Sequence, residues 1–578
     1  MRHLISSEAF LKNNMMHEHQ KPIRALWNTN YIWIILLVGI GLSFYTVNHL
    51  WFQELLGWDE VDHFSIAQGI SRDFDFSTRQ YMVLDIIKYG YPLHHSNYYP
   101  LFHTYLALFF KLFGESPSVA YFANWVAAIG ASIFIYYIAL RLYPRSRRFA
   151  FFTALAYFLI PGIWRNIHTS SLMEPLGACL LAIATLVVLA EYQKKKFTAL
   201  TILKFSLLLL LIFLYKMTLF GFLFGIAAFI IVAYHKKWSG DARISSIPLP
   251  LFLLAIYGAF ALLFLLASRF LFYPMPSFFP HLPTQESAEL YNSFLGGFFQ
   301  NLWGNLWGNV YHFFRTMTIF HLIYPAQPTP YLTSYMIFAR YFFFLFFAAI
   351  FICAMAWKKL ESSSRLFVIL AAVSILAMNT ATNIFTRMDQ ENIHRYNLYY
   401  LPLFVPLIAL AAKIFFEYLR TFITEHPWGS KILAAWTLAI FFIPLFATMF
   451  VHQLALERRY HKVGTLHARI IQHFIRGYTP QFVYFNKGTH TTEISYPVRV
   501  VSQNATNEEL LKINEILPEP IAFLFLRSND MLYKNNRADI EAKKSILDGR
   551  YRYENRIKIP EKNVDIVVYR LAHADRLQ

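Results

Sequence analysis

The chain has 578 residues, 56% of them hydrophobic and 18% aromatic, with a formal net charge of +18 and two cysteines. A soluble core cannot hide that much apolar surface, so a soluble globular fold is excluded and an integral membrane protein is expected. The positive charge sits in short clusters between apolar runs, which fits membrane topology and argues against nucleic acid as a partner; Cys179 and Cys353 fall inside apolar runs, which leaves neither a disulfide framework nor a cysteine zinc site.

Residues 1–30 read as a cytoplasmic N-terminal segment carrying Lys12, Lys21 and Arg24. The first apolar run, YIWIILLVGIGLSFYTVNHL, has about the 20 residues a bilayer requires and no small-residue cleavage pattern after it, so it reads as a retained signal anchor. It is followed at once by GWDEVDHFSIAQGI, which places Asp59, Glu60 and Asp62 at the point where the chain leaves the bilayer. The loop of residues 51–116 is too long for a simple connection. Val61, Phe64, Ala67 and Ile70 recur at every third position, and YYPLFHTYLALFFKLFG forms a second, more apolar stretch, so helices lying along the interface are expected.

Further spans are expected to start near residues 117, 148, 171, 198, 217, 247, 333, 364, 397 and 431, giving about eleven in all, within a range of roughly ten to thirteen. The apolar stretch 198–234 is too long for one span and is expected to be a hairpin with Lys216 at its tip. The repeated LWGN of residues 302–309, with Tyr311, Phe313 and Phe314, reads as an interfacial aromatic anchor. From about residue 455 the sequence becomes charged and mixed. The strand-like FVYFN, IAFLFLR and DIVVYRL, with the helix-like NEELLKINEIL, predict a small α/β domain over 455–578, beyond a transmembrane unit of 31–454.

The basic clusters test the span count. With the N-terminus inside, RLYPRSRR (141–148), KKK (194–196), HKK (235–237), WKK (357–359), and Arg420 with Lys431 all fall on the cytoplasmic side, as the positive-inside rule requires. The other side receives loop 51–116, the turn WRNIHTSSLMEP with Arg165 and Glu174, Lys216, the loop 273–332, the segment with His394 and Arg395, and the C-terminal domain. Histidines concentrate on that side too, His63 and His103 among them; their spacing matches no zinc pattern, so scattered polar loop residues are the expectation.

An acidic pair after the first span, followed by an interfacial Pro-Leu aromatic stretch ending in KLFG, resembles the GT-C superfamily of membrane glycosyltransferases, in particular the branch of protein O-mannosyltransferases and bacterial aminoarabinose transferases. Here the pair is Asp59-Glu60 and the stretch is residues 98–114; Glu174 in SSLMEP, Lys216 in LYKMTLF and RYNLYYLPLFVP follow in the family's order over roughly residues 31–450. Aminoarabinose transferases carry a lysine just before the interfacial proline pair, where this chain has Tyr98 and Tyr99 before Pro100. The resemblance implies a sugar donor on a polyprenyl phosphate, inversion at the anomeric carbon, and a hydroxyl acceptor on a lipid, glycan or protein.

Such a transfer needs a base at the acceptor hydroxyl and positive charge where the leaving phosphate gains negative charge. Asp59 is the first choice for the base, with Glu60 sharing that role, positioning the acceptor or binding a cation. Glu174 completes an acidic pocket; Lys216 and Arg395, backed by His394 and Arg165, supply the cationic side, and Tyr98 stands with them as a substrate-binding residue. No resident cofactor is expected, and a divalent cation is left open. The competing reading is a multi-spanning transporter of a lipid-linked or anionic substrate, but transporters tend to carry ionisable groups and helix breaks in mid-span, whereas this chain keeps its acids at the outer ends.

Overall fold

The computed structural model describes residues 30–51, 58–76, 80–82, 86–87, 100–144, 146–158, 173–193, 198–216, 219, 221–235, 258, 345–385, 398–425, 482–485, 498–501, 507–517, 521–528, 551–559 and 564–571, at some of them by backbone alone. The helices are α1 (Asn30–Trp51), α2 (Trp58–Asp73), α3 (Pro100–Phe113), α4 (Pro117–Leu142), α5 (Arg147–Phe158), α6 (Glu174–Gln193), α7 (Ala199–Tyr215), α8 (Gly221–His235), α9 (Leu345–Met355), α10 (Ser362–Phe385), α11 (Leu401–Glu425) and α12 (Asn507–Ile516). Stretches of α4, α6, α10 and α11 are long and apolar enough to cross a membrane. The expected span starts near residues 247, 333 and 431 lie outside the described residues.

Large apolar side chains on the outward faces repeat with helical spacing. Leu200, Leu203, Leu207 and Leu211 run down α7, while Phe347, Phe351 and Met355 run down α9, all exposed. Water would penalise such continuous stripes and lipid does not, so the chain is an integral membrane protein. The inward faces are closed by fully buried aromatic rings, among them Tyr136, Tyr157, Phe205, Tyr215, Phe222, Phe229 and Tyr399.

The helix ends sort into two sets. The Asn30 Oδ1 at the start of α1 accepts from the Tyr136 hydroxyl (3.2 Å) and from Arg147 Nε at the start of α5 (3.1 Å). Arg141 near the end of α4 donates to Gln193 at the end of α6. Buried Glu191 on α6 accepts from Lys204 Nζ (2.7 Å) and Thr201 Oγ1 (2.9 Å) at the start of α7, a helix opened by a Thr198–Thr201 capping box. Tyr192 is hydrogen bonded to Ser362 at the start of α10. These ends therefore lie together, and they are the ends that adjoin the basic clusters at 141–148, 194–196 and 357–359.

The helix break expected at Lys216 is present, but the two arms do not lie along one another as a hairpin. α7 packs on α6 and α3, whereas α8 packs along α10. The cause is a Gly-x-x-x-Gly in α8: a Cβ on Gly221 would sit 2.2 Å from the Met378 backbone nitrogen, and one on Gly225 would sit 1.7 Å from Ser374 Oγ. Small residues one turn apart let the two backbones approach, and in lipid that close packing holds helices together. An apolar run announces that a break is needed; it does not say which neighbour each arm will choose.

In the first loop, α2 buries Phe64, Ala67 and Ile70, as the spacing predicts, and also Ile66 and Gln68, against the α3 face of Phe102, Leu106, Ala107 and Phe110. The opposite α3 face, Leu108, Leu112 and Phe113, is exposed and apolar, as an interfacial helix requires. Between them runs a strand that the sequence reading did not anticipate, β1 (Gln80–Met82). It pairs in parallel with β3 (Val498–Val501), at the edge of a sheet completed by β2 (Phe482–Phe485), β4 (Ile521–Ser528), β5 (Tyr551–Ile559) and β6 (Val564–Leu571). The strand order is β1-β3-β2-β4-β6-β5, parallel from β1 to β4 and antiparallel thereafter.

Candidate active site

At the end of the bundle away from the Glu191–Lys204 pair, three elements meet. Glu174 is the first residue of α6 and is 1% exposed; Pro175 follows it, whose fixed φ and missing N–H suit a first helical turn. A carboxylate there faces the positive end of the helix dipole. Lys216 ends α7, its backbone N–H closing the last turn on the Ile212 carbonyl. Its ammonium group donates to the Tyr399 hydroxyl (3.3 Å) and lies 4.9 Å from the centre of that ring. Tyr399 sits in the 3₁₀ turn Leu398–Tyr400 that leads into α11.

Two contacts lock these pieces. The Tyr215 hydroxyl donates to the Met173 carbonyl, which joins the residue before Lys216 to the residue before Glu174. Gly177, on the turn of α6 after Glu174, lies under both rings: a Cβ there would be 2.5 Å from Tyr399 Cδ1 and 2.7 Å from Tyr215 Cε1. The Tyr215 and Tyr399 rings meet edge to face, with centroids 6.4 Å apart. A buried acid and a half-buried cation are thus held at one bundle end by a tyrosine pair packed on a glycine.

Glu174 and Lys216 are brought to the same end of the bundle through their neighbours Met173 and Tyr215. Asp59 and Glu60 occupy the first turn of α2, described there by backbone only. Tyr98, Arg165, His394 and Arg395 lie outside the described residues. Among the described residues, no group of three or more His, Cys, Asp or Glu is arranged to hold a metal ion. Sequence reasoning missed Tyr215, Tyr399 and Gly177. Two of them stand beside residues that it did single out, and the aromatic pair of YYLPLF was read only as part of a pattern.

Helix α2 carries a second cluster. Nδ1 of His63 and Nε2 of His103 are hydrogen bonded at 3.0 Å, and both rings are buried. Further along, Gln68 Nε2 donates to Glu115 (3.1 Å), and Arg72 Nε donates to both oxygens of the same carboxylate (2.9 Å each). That hydrogen bond raises the Arg72 pKa above its ordinary value, against the opposing effect of burial.

This bundle, with its charged cluster at one end and helices in the first loop, is similar in fold to solved structures that cover nearly the whole chain. One of them is the aminoarabinose transferase ArnT from Cupriavidus metallidurans bound to undecaprenyl phosphate. The TM-score is 0.52 at 14% identity, over 94% of this chain and 98% of that one. The apo form of the same protein gives a TM-score of 0.50 at 13% identity, over 93% and 97%. The oligosaccharyltransferase of Archaeoglobus fulgidus in the apo form gives 0.49 at 12% identity, over 94% of this chain and 75% of that one. No family model matches the chain, and no curated protein matches it by sequence.

Proposed function

We propose that the chain is an inverting glycosyltransferase that moves a sugar from a polyprenyl-phosphate donor to a hydroxyl or similar acceptor on a lipid, glycan or protein at the outer face of the membrane. The observation that carries this reading is the likeness of fold over nearly the whole length of both chains to a protein bound to undecaprenyl phosphate. The cation held by Tyr399 beside a buried acid supports it, because a phosphate leaving group asks for such a cation.

In this mechanism the acceptor oxygen attacks the anomeric carbon from the face opposite the phosphate. The carbon–oxygen bond to phosphate breaks, its electron pair leaves with polyprenyl phosphate, and the configuration inverts. Asp59 takes the acceptor proton and Glu60 positions the acceptor. Lys216 and Arg395, with Arg165, His394 and Tyr98, meet the phosphate and the sugar, while Glu174 sets the field around the acids. The reading includes about eleven spans with a cytoplasmic N-terminus, a catalytic unit of 31–454 and an extracytoplasmic α/β domain of 455–578, in a bacterial inner membrane.

Native mass spectrometry of the purified protein tests the reading directly, with a co-purified polyprenyl-linked sugar as the expected finding. Asp59→Asn is expected to abolish transfer while the protein stays folded and keeps its lipid. Normal turnover in that variant overturns the assignment of the base.

A further inference from the structure

Phe74, the residue after α2, is 79% exposed, the highest value among the large apolar side chains described. Its φ is +59°, and among the described residues no other non-glycine residue has a positive φ. Glycine ordinarily makes such a left-handed exit from a helix, because a Cβ strains it, and a bulky residue there is an outlier. The exit is nevertheless closed by backbone hydrogen bonds from Phe74 to the Ile70 carbonyl and from Asp75 to the Gly69 carbonyl, 3.2 Å each. The ring meets Phe76 edge to face, with centroids 5.5 Å apart, and Phe76 is half-buried against the core. The fold thus accepts backbone strain and holds an aromatic ring outward, a pairing that asks what the ring meets there.

Contacts with α4 fix the level of that ring. The apolar span of α4 begins at Ser118, and α3 lies against its first turns: the Tyr105 hydroxyl donates to the Ala123 carbonyl (2.6 Å), and the rings of Phe109 and Phe113 both meet Phe122. Glu115, just ahead of the span, accepts from Gln68 (3.1 Å) and Arg72 (2.9 Å), while Lys111 Nζ donates to the Ser71 carbonyl (3.3 Å). The end of α2 is therefore tied to the point where α4 enters the apolar layer, and Phe74 follows within two residues. The neighbouring outward face of α3, Leu108, Leu112 and Phe113, is exposed and apolar as well.

We infer that Phe74 is a bilayer anchor, its ring inserted among lipids at the boundary of headgroups and acyl chains, where it pins the α2–α3 pair at a fixed depth. Asp73 and Asp75 flank it and keep the backbone at headgroup level, so the ring alone enters the apolar layer. Arg72 and Lys111 stand close by as cations at the level of the lipid phosphates.

The inference needs a membrane protein and no particular reaction, so failure of the proposed sugar transfer leaves it standing. Cys179 and Cys353 are both buried, which lets a nitroxide label react at one introduced cysteine. Phe74→Cys is labelled in the full chain and reconstituted into phosphatidylcholine vesicles, with Leu203→Cys on the lipid-facing stripe of α7 and Glu508→Cys on the exposed side of α12 as references. Collisions with oxygen, which concentrates in lipid, are compared with collisions with a water-soluble nickel complex.

The label at position 74 is expected to read a depth of about 5–10 Å into the boundary region, between the two references. A label there as open to the nickel complex as the one at position 508 overturns the inference. A second arm keeps an aromatic ring: p-benzoylphenylalanine replaces Phe74 in the same vesicles, and photolysis is expected to leave a lipid adduct on the peptide that carries residue 74. If Phe74→Cys does not fold, this arm decides. Crosslinks to protein alone, or no adduct while the same analogue at position 203 captures lipid, overturn the inference.

Discussion

Gly177 shows how much of the candidate site depends on a missing side chain. Gly177→Ala would drive a methyl group into the Tyr399 and Tyr215 rings, and overpacking of this kind costs about 1–3 kcal/mol. The expected result is a lower thermal midpoint in detergent and, under the proposed function, weaker binding of undecaprenyl phosphate as the tyrosine pair moves off Lys216. Tyr399→Phe separates the two effects, because it removes the hydroxyl that accepts from Lys216 and keeps the ring that fills the space. Under the proposed function, binding of undecaprenyl phosphate is expected to weaken about three- to tenfold with the midpoint unchanged, checked by titration and thermal scanning. On α2, the raised Arg72 pKa makes its contribution to stability complete below the ordinary arginine value and lost only as pH rises through the raised one. That tie does not respond between neutral pH and mild acid. Charged residues at helix ends stand out in an apolar sequence, so Glu174 and Lys216 were legible. Tyr399 was not, because an aromatic beside an apolar run has the composition of core, and His63 with His103 carries no local sign of partnership.

Among the described helices, α8 and α10 are packed along one another, and the two glycines at their contact are obstructed by different things. At Gly225 the nearest atom is the Ser374 hydroxyl, whereas at Gly221 it is the backbone of Ala377 and Met378. Gly225→Ala is therefore expected to destabilise the protein and to recover at least half of that loss when combined with Ser374→Gly. Gly221→Ala should gain nothing from the same partner change. A double-mutant cycle on thermal midpoints checks both. Helix starts were legible because proline, threonine caps and basic clusters mark them; the partners of α7 and α8 were not. Hydrophobicity gives a lipid-exposed stripe and a buried one, and only the glycine spacing points to a neighbour.

Across the whole molecule, the ends of α1, α4, α5, α6, α7 and α10 gather on the side of the basic clusters, which is the sorting that charge alone predicted. The strand-like FVYFN, IAFLFLR and DIVVYRL correspond to β2, β4 and β6. Strand β1 was not legible, since three residues, Gln80–Met82, are too few to show an alternating pattern and their partner lies near the other end of the chain. Replacing all of Gln80–Met82 with proline removes every backbone donor that this strand can offer the ladder, and hydrogen exchange at Val498–Val501 is expected to rise while the transmembrane helices stay protected.

That ladder also fixes an order of events during biosynthesis. The ribosome delivers β1 long before β3, so the acidic turn's own loop stays unfinished until that distant strand has been made. A product cut short before β3 would lack the seam that closes this loop, so the loop's completion waits for a strand from a remote part of the chain.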